Sequence, residues 1–101
     1  MSNTENNLEK ESSKSETLLD QAEGFRLFGE KLIDRGEMLG AAETLTRALI
    51  FFLQLERNDE VRTTELLLTK VVPDIGPFAY AKIRRAVEIE MGVRSSDNNE
   101  D

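Results

Sequence analysis

Large and small apolar residues recur three and four positions apart from residue 25 to residue 48, which predicts that they share one face of successive helices. Gly36 interrupts the pattern, and a glycine there favours a turn because it adopts a left-handed backbone conformation without strain. Gly29 and Ala41 are small enough to let two helices approach closely. The stretch therefore predicts a helical hairpin that packs tightly on itself. Its predicted core positions are Phe25, Phe28, Leu32, Leu45 and Ala48.

The pattern in the rest of the chain predicts an all-α fold, a compact bundle of about four helices. The expected helices cover residues 18–35, 38–57, 60–72 and 77–91. Val and Thr in the third segment are β-formers, but no other segment offers a partner strand. The segment 73–77 is expected to break the chain, and Pro77 suits the first position of a helix because an N–H there would be unpaired anyway. The inward positions expected on the fourth helix are Phe78, Ala79, Ile83, Ala86, Val87 and Met91.

The second helix is apolar on nearly all sides from Ala48 to Leu53. A helix of this kind must be covered on several sides, and one hairpin covers only one of them. Later helices therefore fold back on it, or a partner covers part of it. Four residues are candidates both for the core and for an exposed apolar surface, since the surplus of apolar surface needs an outlet: Phe51, Phe52, Leu67 and Leu68.

The two ends of the chain are polar, while the middle carries the apolar pattern. Residues 1–16 are rich in Ser, Asn, Glu and Lys, so they bury too little apolar surface to offset the entropy lost on ordering. They are expected to form a disordered tail, and residues 93–101 a second, acidic one. The 101 residues then contain a single helical domain, residues 17–92.

Charge and amino-acid composition exclude several classes of function. The chain has 20 acids, 13 bases and a net charge of −7, so it repels nucleic acids and anionic lipids and attracts basic peptides. It contains no Cys and no His, which excludes disulfides, thiol catalysis and His-based acid–base chemistry. The sequence shows no nucleophile–base set, phosphate-binding loop or metal-ligand spacing. We therefore expect a protein that is not an enzyme and needs no cofactor or metal.

Membrane insertion and secretion are not expected from the sequence. No segment approaches the roughly 20 apolar residues that a transmembrane helix needs. The first residues lack the basic start and apolar block of a signal peptide.

The order of residues in the hairpin resembles the tetratricopeptide motif, with Phe25, Phe28, Leu32 and Leu45 at its large positions. A wider set of residues, taken in chain order, resembles one family, the cytosolic domain of the twenty-kilodalton presequence receptor of the mitochondrial outer-membrane translocase. That set continues through a Leu-rich third helix to Val72, Pro73 and Phe78. The residues of the first two helices that carry the resemblance are Leu27, Phe28, Gly29, Glu30, Leu32, Gly36, Ala41, Leu45 and Ala48.

The resemblance implies a receptor that holds the amphipathic helix of a presequence in an apolar groove. Presequences are Arg-rich and poor in acids, so an acidic rim would favour them. Other translocase subunits are possible partners, and the expected location is the cytosolic face of the mitochondrial outer membrane, or the cytoplasm if no anchor exists. The groove residues that the resemblance implies are Ala22, Glu23, Arg26, Glu30, Phe51, Leu67 and Leu68. The alternative function is a helical adaptor or dimerisation module that uses the same apolar surface for one fixed partner.

Overall fold

Four helices make up the fold. The computed structural model describes the backbone of residues 3–94 and the side chains of residues 16–94. The helices are α1 (Asn3–Asp34), α2 (Met38–Gln54), α3 (Asn58–Ile75) and α4 (Pro77–Glu90). No strand occurs within residues 3–94, so the predicted all-α fold of four helices is confirmed.

The first helix is longer than the sequence pattern predicts. It begins at Asn3 instead of near residue 18, so its backbone runs through most of the segment that was expected to be a polar tail. The predicted domain boundary at residue 17 is therefore not a break in the helix. Residues 1–2 and 95–101, which include most of the predicted acidic tail, lie outside the described residues.

The third helix also continues further than expected. The prediction that it stops before Pro73 is wrong, because α3 runs on to Ile75 with the proline inside it. Proline removes one backbone hydrogen bond, and near the end of a helix this loss is tolerated more easily than in the middle. The helix instead ends at Gly76, whose N–H donates to the Val72 carbonyl at 2.8 Å. Pro77 then occupies the start of α4, as predicted.

The second helix is the centre of the bundle, since α1, α3 and α4 all pack against it. Later helices thus cover the helix that is apolar on nearly all sides, as the sequence indicated. Two buried clusters result. The larger comprises Leu32, Ala41, Ala42, Leu45, Leu49, Leu68 and Val71. The smaller comprises Ala22, Ala48 and Phe52, and the stacked rings of Phe25 and Phe51 lie against it with their centroids 6.0 Å apart.

Two aromatic side chains that were predicted to face inward are exposed. Phe28 is 50% exposed, and Leu27 beside it is similarly open. Phe78 is 87% exposed, although Val87 on the same helix is buried. Positions nine residues apart lie half a turn out of phase on an α-helix, so Phe78 and Val87 occupy opposite faces. Ala86, also predicted to face inward, is exposed as well.

The turns after α1 and α2 share one hydrogen-bonding pattern, the Schellman motif. In the first, Glu37 N–H donates to the Leu32 carbonyl at 2.9 Å, and Gly36 has the predicted positive φ, 77°. In the second, Arg57 N–H donates to the Phe52 carbonyl at 2.9 Å, and Glu56 takes the left-handed position with φ of 58°. Glu56 therefore occupies a backbone conformation that favours glycine.

Replacing Glu56 by glycine is expected to raise the free energy of unfolding by about 1 kcal/mol, because a side chain in the left-handed region is strained. Urea unfolding followed by circular dichroism measures the change. The control is Glu37→Gly, an exposed glutamate beside the other turn that has a negative φ of −91°. Glu37→Gly should not raise the free energy of unfolding. An equal gain in both variants would contradict the strain at Glu56.

Candidate peptide-binding groove

The residues implied by the family resemblance do not share one surface. Ala22 is completely buried beside Ala48 and Phe52, so its side chain packs in the core and cannot line an open groove. Phe51 is half-buried and stacks on Phe25 at the edge of the same cluster. Both residues therefore join α1 to α2 and leave little surface for a ligand.

The charged members of the set, all on α1, lie among other charged side chains. Arg26 Nη1 donates to Glu30 Oε2 at 2.6 Å, so these two residues, four apart on α1, form an ion pair. Arg26 also lines a polar crevice of about 250 Å³ together with Asp59 and Glu60 of α3. Glu23 lies near Arg57, whose guanidinium donates a hydrogen bond to the Glu60 carboxylate; this bond raises the pKa of Arg57, and the charge of Glu23 adds to the rise. Glu30 is thus neutralised by its neighbour and does not form the rim of an apolar groove.

The two leucines of α3 have different environments. Leu67 is half-buried and packs against the larger cluster. Leu68 is 5% exposed and belongs to that cluster, but its accessible edge reaches an open groove. Of the seven implied residues, Leu68 alone lines this groove.

An apolar groove does exist, between α3 and α4. It has a volume of about 440 Å³, and its walls are predominantly apolar. Leu49 of α2 contributes to it from beneath the two helices. We call it the α3–α4 groove. Its lining residues are Leu49, Glu65, Leu68, Thr69, Val72, Pro73, Tyr80 and Arg84.

Exposed apolar side chains extend this surface. Leu53 follows Leu49 by one helical turn on the same face of α2 and is 48% exposed. Leu66 shares a helical face with Pro73 and is 62% exposed. The apolar surface is therefore longer than the groove itself, which is the form that an amphipathic helix requires of its binding site.

The charges on the two walls differ in how far they are neutralised. Arg84 Nε bonds Glu88 Oε2 at 3.0 Å and lies 3.5 Å from the Tyr80 hydroxyl. Glu88 is also held by Arg94 at 2.8 Å, and this hydrogen bond, with help from Arg84, lowers the pKa of Glu88. Glu65 on the facing wall is exposed and has no ion pair within the described residues. The groove therefore combines an apolar floor with one carboxylate available to a ligand.

Sequence reasoning missed most of this groove, for an identifiable reason. Tyr80 and Arg84 were assigned to α4 correctly, but the pattern does not say where α4 lies relative to α3. The partial separation of these two helices opens the groove, and it depends on packing between distant residues. The Leu-rich third helix, which is part of the family resemblance, was the feature of the sequence that pointed to this region.

Two further features of the described residues bear on function. They contain no cluster of three Asp, Glu, His or Cys side chains that could hold a metal ion. None of the helices found among them is both long enough and apolar enough to cross a membrane.

Comparison of the chain with protein-family models, with curated proteins and with solved structures finds no match. The relationship to presequence receptors therefore stays a prediction that rests on the motif order.

Proposed function

We propose that this chain is a non-enzymatic receptor module that binds basic amphipathic helices in the α3–α4 groove. Mitochondrial presequences are the ligand class that the motif order favours, and the cytosolic face of the outer membrane is the matching location. The observation that carries the proposal is an open, mainly apolar groove of about 440 Å³ with the free carboxylate of Glu65 on its wall.

The shape of the groove supports a helical ligand. Leu49, Leu68 and Val72 offer an apolar floor, while Leu53 and Leu66 extend apolar surface beyond it. A ligand helix places apolar residues three and four apart, so two or three of them could contact this floor at once. Such a small surface predicts weak and reversible binding, as a receptor for many sequences requires.

The charge distribution supports a basic ligand. Arg84 is already paired with Glu88, whereas Glu65 is open to a ligand cation. Arg62 and Lys70 are exposed on α3 but are not part of the groove lining. The net charge of −7 adds a long-range attraction that raises the association rate and falls with ionic strength.

Two substitutions of opposite charge at Thr69 test the site. Thr69 is exposed in the groove lining, and its hydroxyl donates only to the Leu66 carbonyl of its own helix. Thr69→Arg should weaken binding of a labelled presequence peptide about tenfold, whereas Thr69→Glu should strengthen it roughly threefold. Arg and Glu both have higher helix propensities than Thr, so both variants should remain folded. Fluorescence anisotropy at two salt concentrations measures the affinities.

The matched control is Thr63→Arg. Thr63 is an exposed threonine on the same helix, its hydroxyl donates to the Asp59 carbonyl, and it lies outside the groove lining. It should weaken binding less than threefold. Equal losses at positions 63 and 69, or no binding of the presequence peptide to the unmodified chain, would contradict the proposal. A stable dimer that buries Leu53 and Leu66 would instead favour the adaptor function.

A further inference from the structure

The solvent side of α4 carries a second surface, separate from the groove. Phe78, Lys82, Arg85 and Ile89 are spaced by four, three and four residues, which places them on one face of the helix. Phe78 is 87% exposed, and both cations are exposed. Ala81 is exposed beside them and leaves the helix backbone open to close approach. We call this the α4 outer face, defined by Phe78, Ala81, Lys82, Arg85 and Ile89.

The acids of α4 do not neutralise this face. Glu88 is held by Arg84 at 3.0 Å and by Arg94 at 2.8 Å. Glu90 is held across the bundle by Arg47 of α2 at 2.8 Å, and this bond is the main reason that the pKa of Arg47 is raised. Lys82 and Arg85 have no ion pair within the part of the chain that the structure describes. The α4 outer face is therefore locally positive in a chain whose net charge is −7.

We propose that the α4 outer face docks an acidic segment of a protein partner, with an apolar side chain of that segment placed against Phe78. Charge complementarity carries the assignment, because two unpaired cations lie one and two helical turns from an almost fully exposed aromatic ring on the same face of α4. The ring supplies an apolar anchor, and the cations set the charge of the partner.

Other occupants fit the face less well. Two cations offer few phosphate contacts, and the net charge of the chain repels nucleic acids and anionic bilayers. A two-fold contact between copies would place the same patch against itself, so Lys82 and Arg85 would meet cations of equal sign. An acidic protein segment avoids both penalties.

The site is independent of the groove. Tyr80 and Arg84 face the groove, while Phe78 lies on the opposite side of α4 from the buried Val87. An acidic ligand on the outer face and a basic ligand in the groove would therefore perturb different amide groups. Failure of one proposal can thus be distinguished from failure of the other.

The test is a nuclear magnetic resonance titration of the full ¹⁵N-labelled chain with a short synthetic peptide that combines Asp and Glu with two leucines. Its charge-reversed version, with Lys in place of the acids, is the control ligand. We expect the acidic peptide to shift the amide signals of Phe78, Lys82 and Arg85 and to leave those of Thr69 and Val72 unchanged. The charge-reversed peptide should leave the α4 outer face unshifted.

Variants then separate local contacts from net charge. Lys82→Glu combined with Arg85→Glu should weaken binding of the acidic peptide more than tenfold. Lys31→Glu combined with Arg35→Glu makes the same change in net charge at two exposed residues of another surface, and it should weaken binding less than threefold. Phe78→Ala should weaken binding about fivefold without lowering thermal stability.

Several outcomes would overturn the proposal. These are equal losses in the two double variants, shifts confined to the groove, or a dimer that Phe78→Ala dissociates. Anionic vesicles that compete with the peptide for the same three amides would assign the face to a membrane instead.

Discussion

Replacing Phe52 by alanine is expected to lower the free energy of unfolding by about 3–5 kcal/mol. Phe52 is completely buried between α1 and α2 and is the largest fully buried side chain among the described residues. Its removal leaves a cavity that the small neighbours Ala22 and Ala48 cannot fill. A domain of this size has only a few kcal/mol of stability to lose, so the variant should be largely unfolded at 37 °C. Urea unfolding followed by circular dichroism at 25 °C measures the effect.

The matched control is Phe78→Ala, which removes the same side chain from an exposed position. Its effect should stay within about 0.5 kcal/mol, because the ring of Phe78 is almost fully accessible in the folded chain. A loss of more than 2 kcal/mol at Phe78 would mean that the ring is buried and that α4 is rotated relative to the bundle. A small effect at Phe52 would place the core elsewhere.

This pair of phenylalanines shows where sequence reasoning succeeds and where it stops. The apolar pattern predicted all four helices, and it required the second helix to be covered on several sides, which α1, α3 and α4 do. The pattern could not show which of two apolar residues that are neighbours in the sequence packs against α2. Leu32 and Leu45 were placed in the core correctly, whereas Phe28 and Phe78 were placed there wrongly.

The errors have a common physical origin. When apolar residues cover more than one face of a helix, the local pattern does not show which of these faces is buried. The packing of the whole bundle decides it. At this point of α1 it is Gly29 that lies close to Leu45, while the adjacent Phe28 is 50% exposed. Contacts between residues distant in sequence set such rotations, and a local pattern does not contain them.

The candidate site was predictable only in part for the same reason. Leu68 was one of the groove residues that the family resemblance implied, and it lines the α3–α4 groove. Arg26 and Glu30 form an ion pair that spacing alone can predict, because residues four apart meet on any helix. The α3–α4 groove depends on the separation of two helices, and no spacing along the chain reports that separation.

Replacing Gly29 by alanine should destabilise the fold by about 1–3 kcal/mol relative to Gly24→Ala. A Cβ atom added at Gly29 would lie 2.5 Å from Cδ2 and 2.6 Å from Cγ of Leu45, which is itself completely buried. A Cβ atom at Gly24 would meet nothing within 4 Å. Both glycines lie inside α1, so both variants gain helix propensity equally, and Gly24→Ala should raise stability by about 0.5–1 kcal/mol.

A double-variant cycle with Leu45→Ala tests whether these two residues meet. Leu45→Ala alone should lower the free energy of unfolding by about 2–5 kcal/mol, because it leaves a cavity in the larger cluster. The methyl group of Gly29→Ala would then enter that cavity instead of clashing with the leucine. The combined loss should therefore be smaller than the sum of the single losses by about 1 kcal/mol or more. Additive losses, or equal stability of Gly24→Ala and Gly29→Ala, would show that α1 does not cross α2 at Gly29.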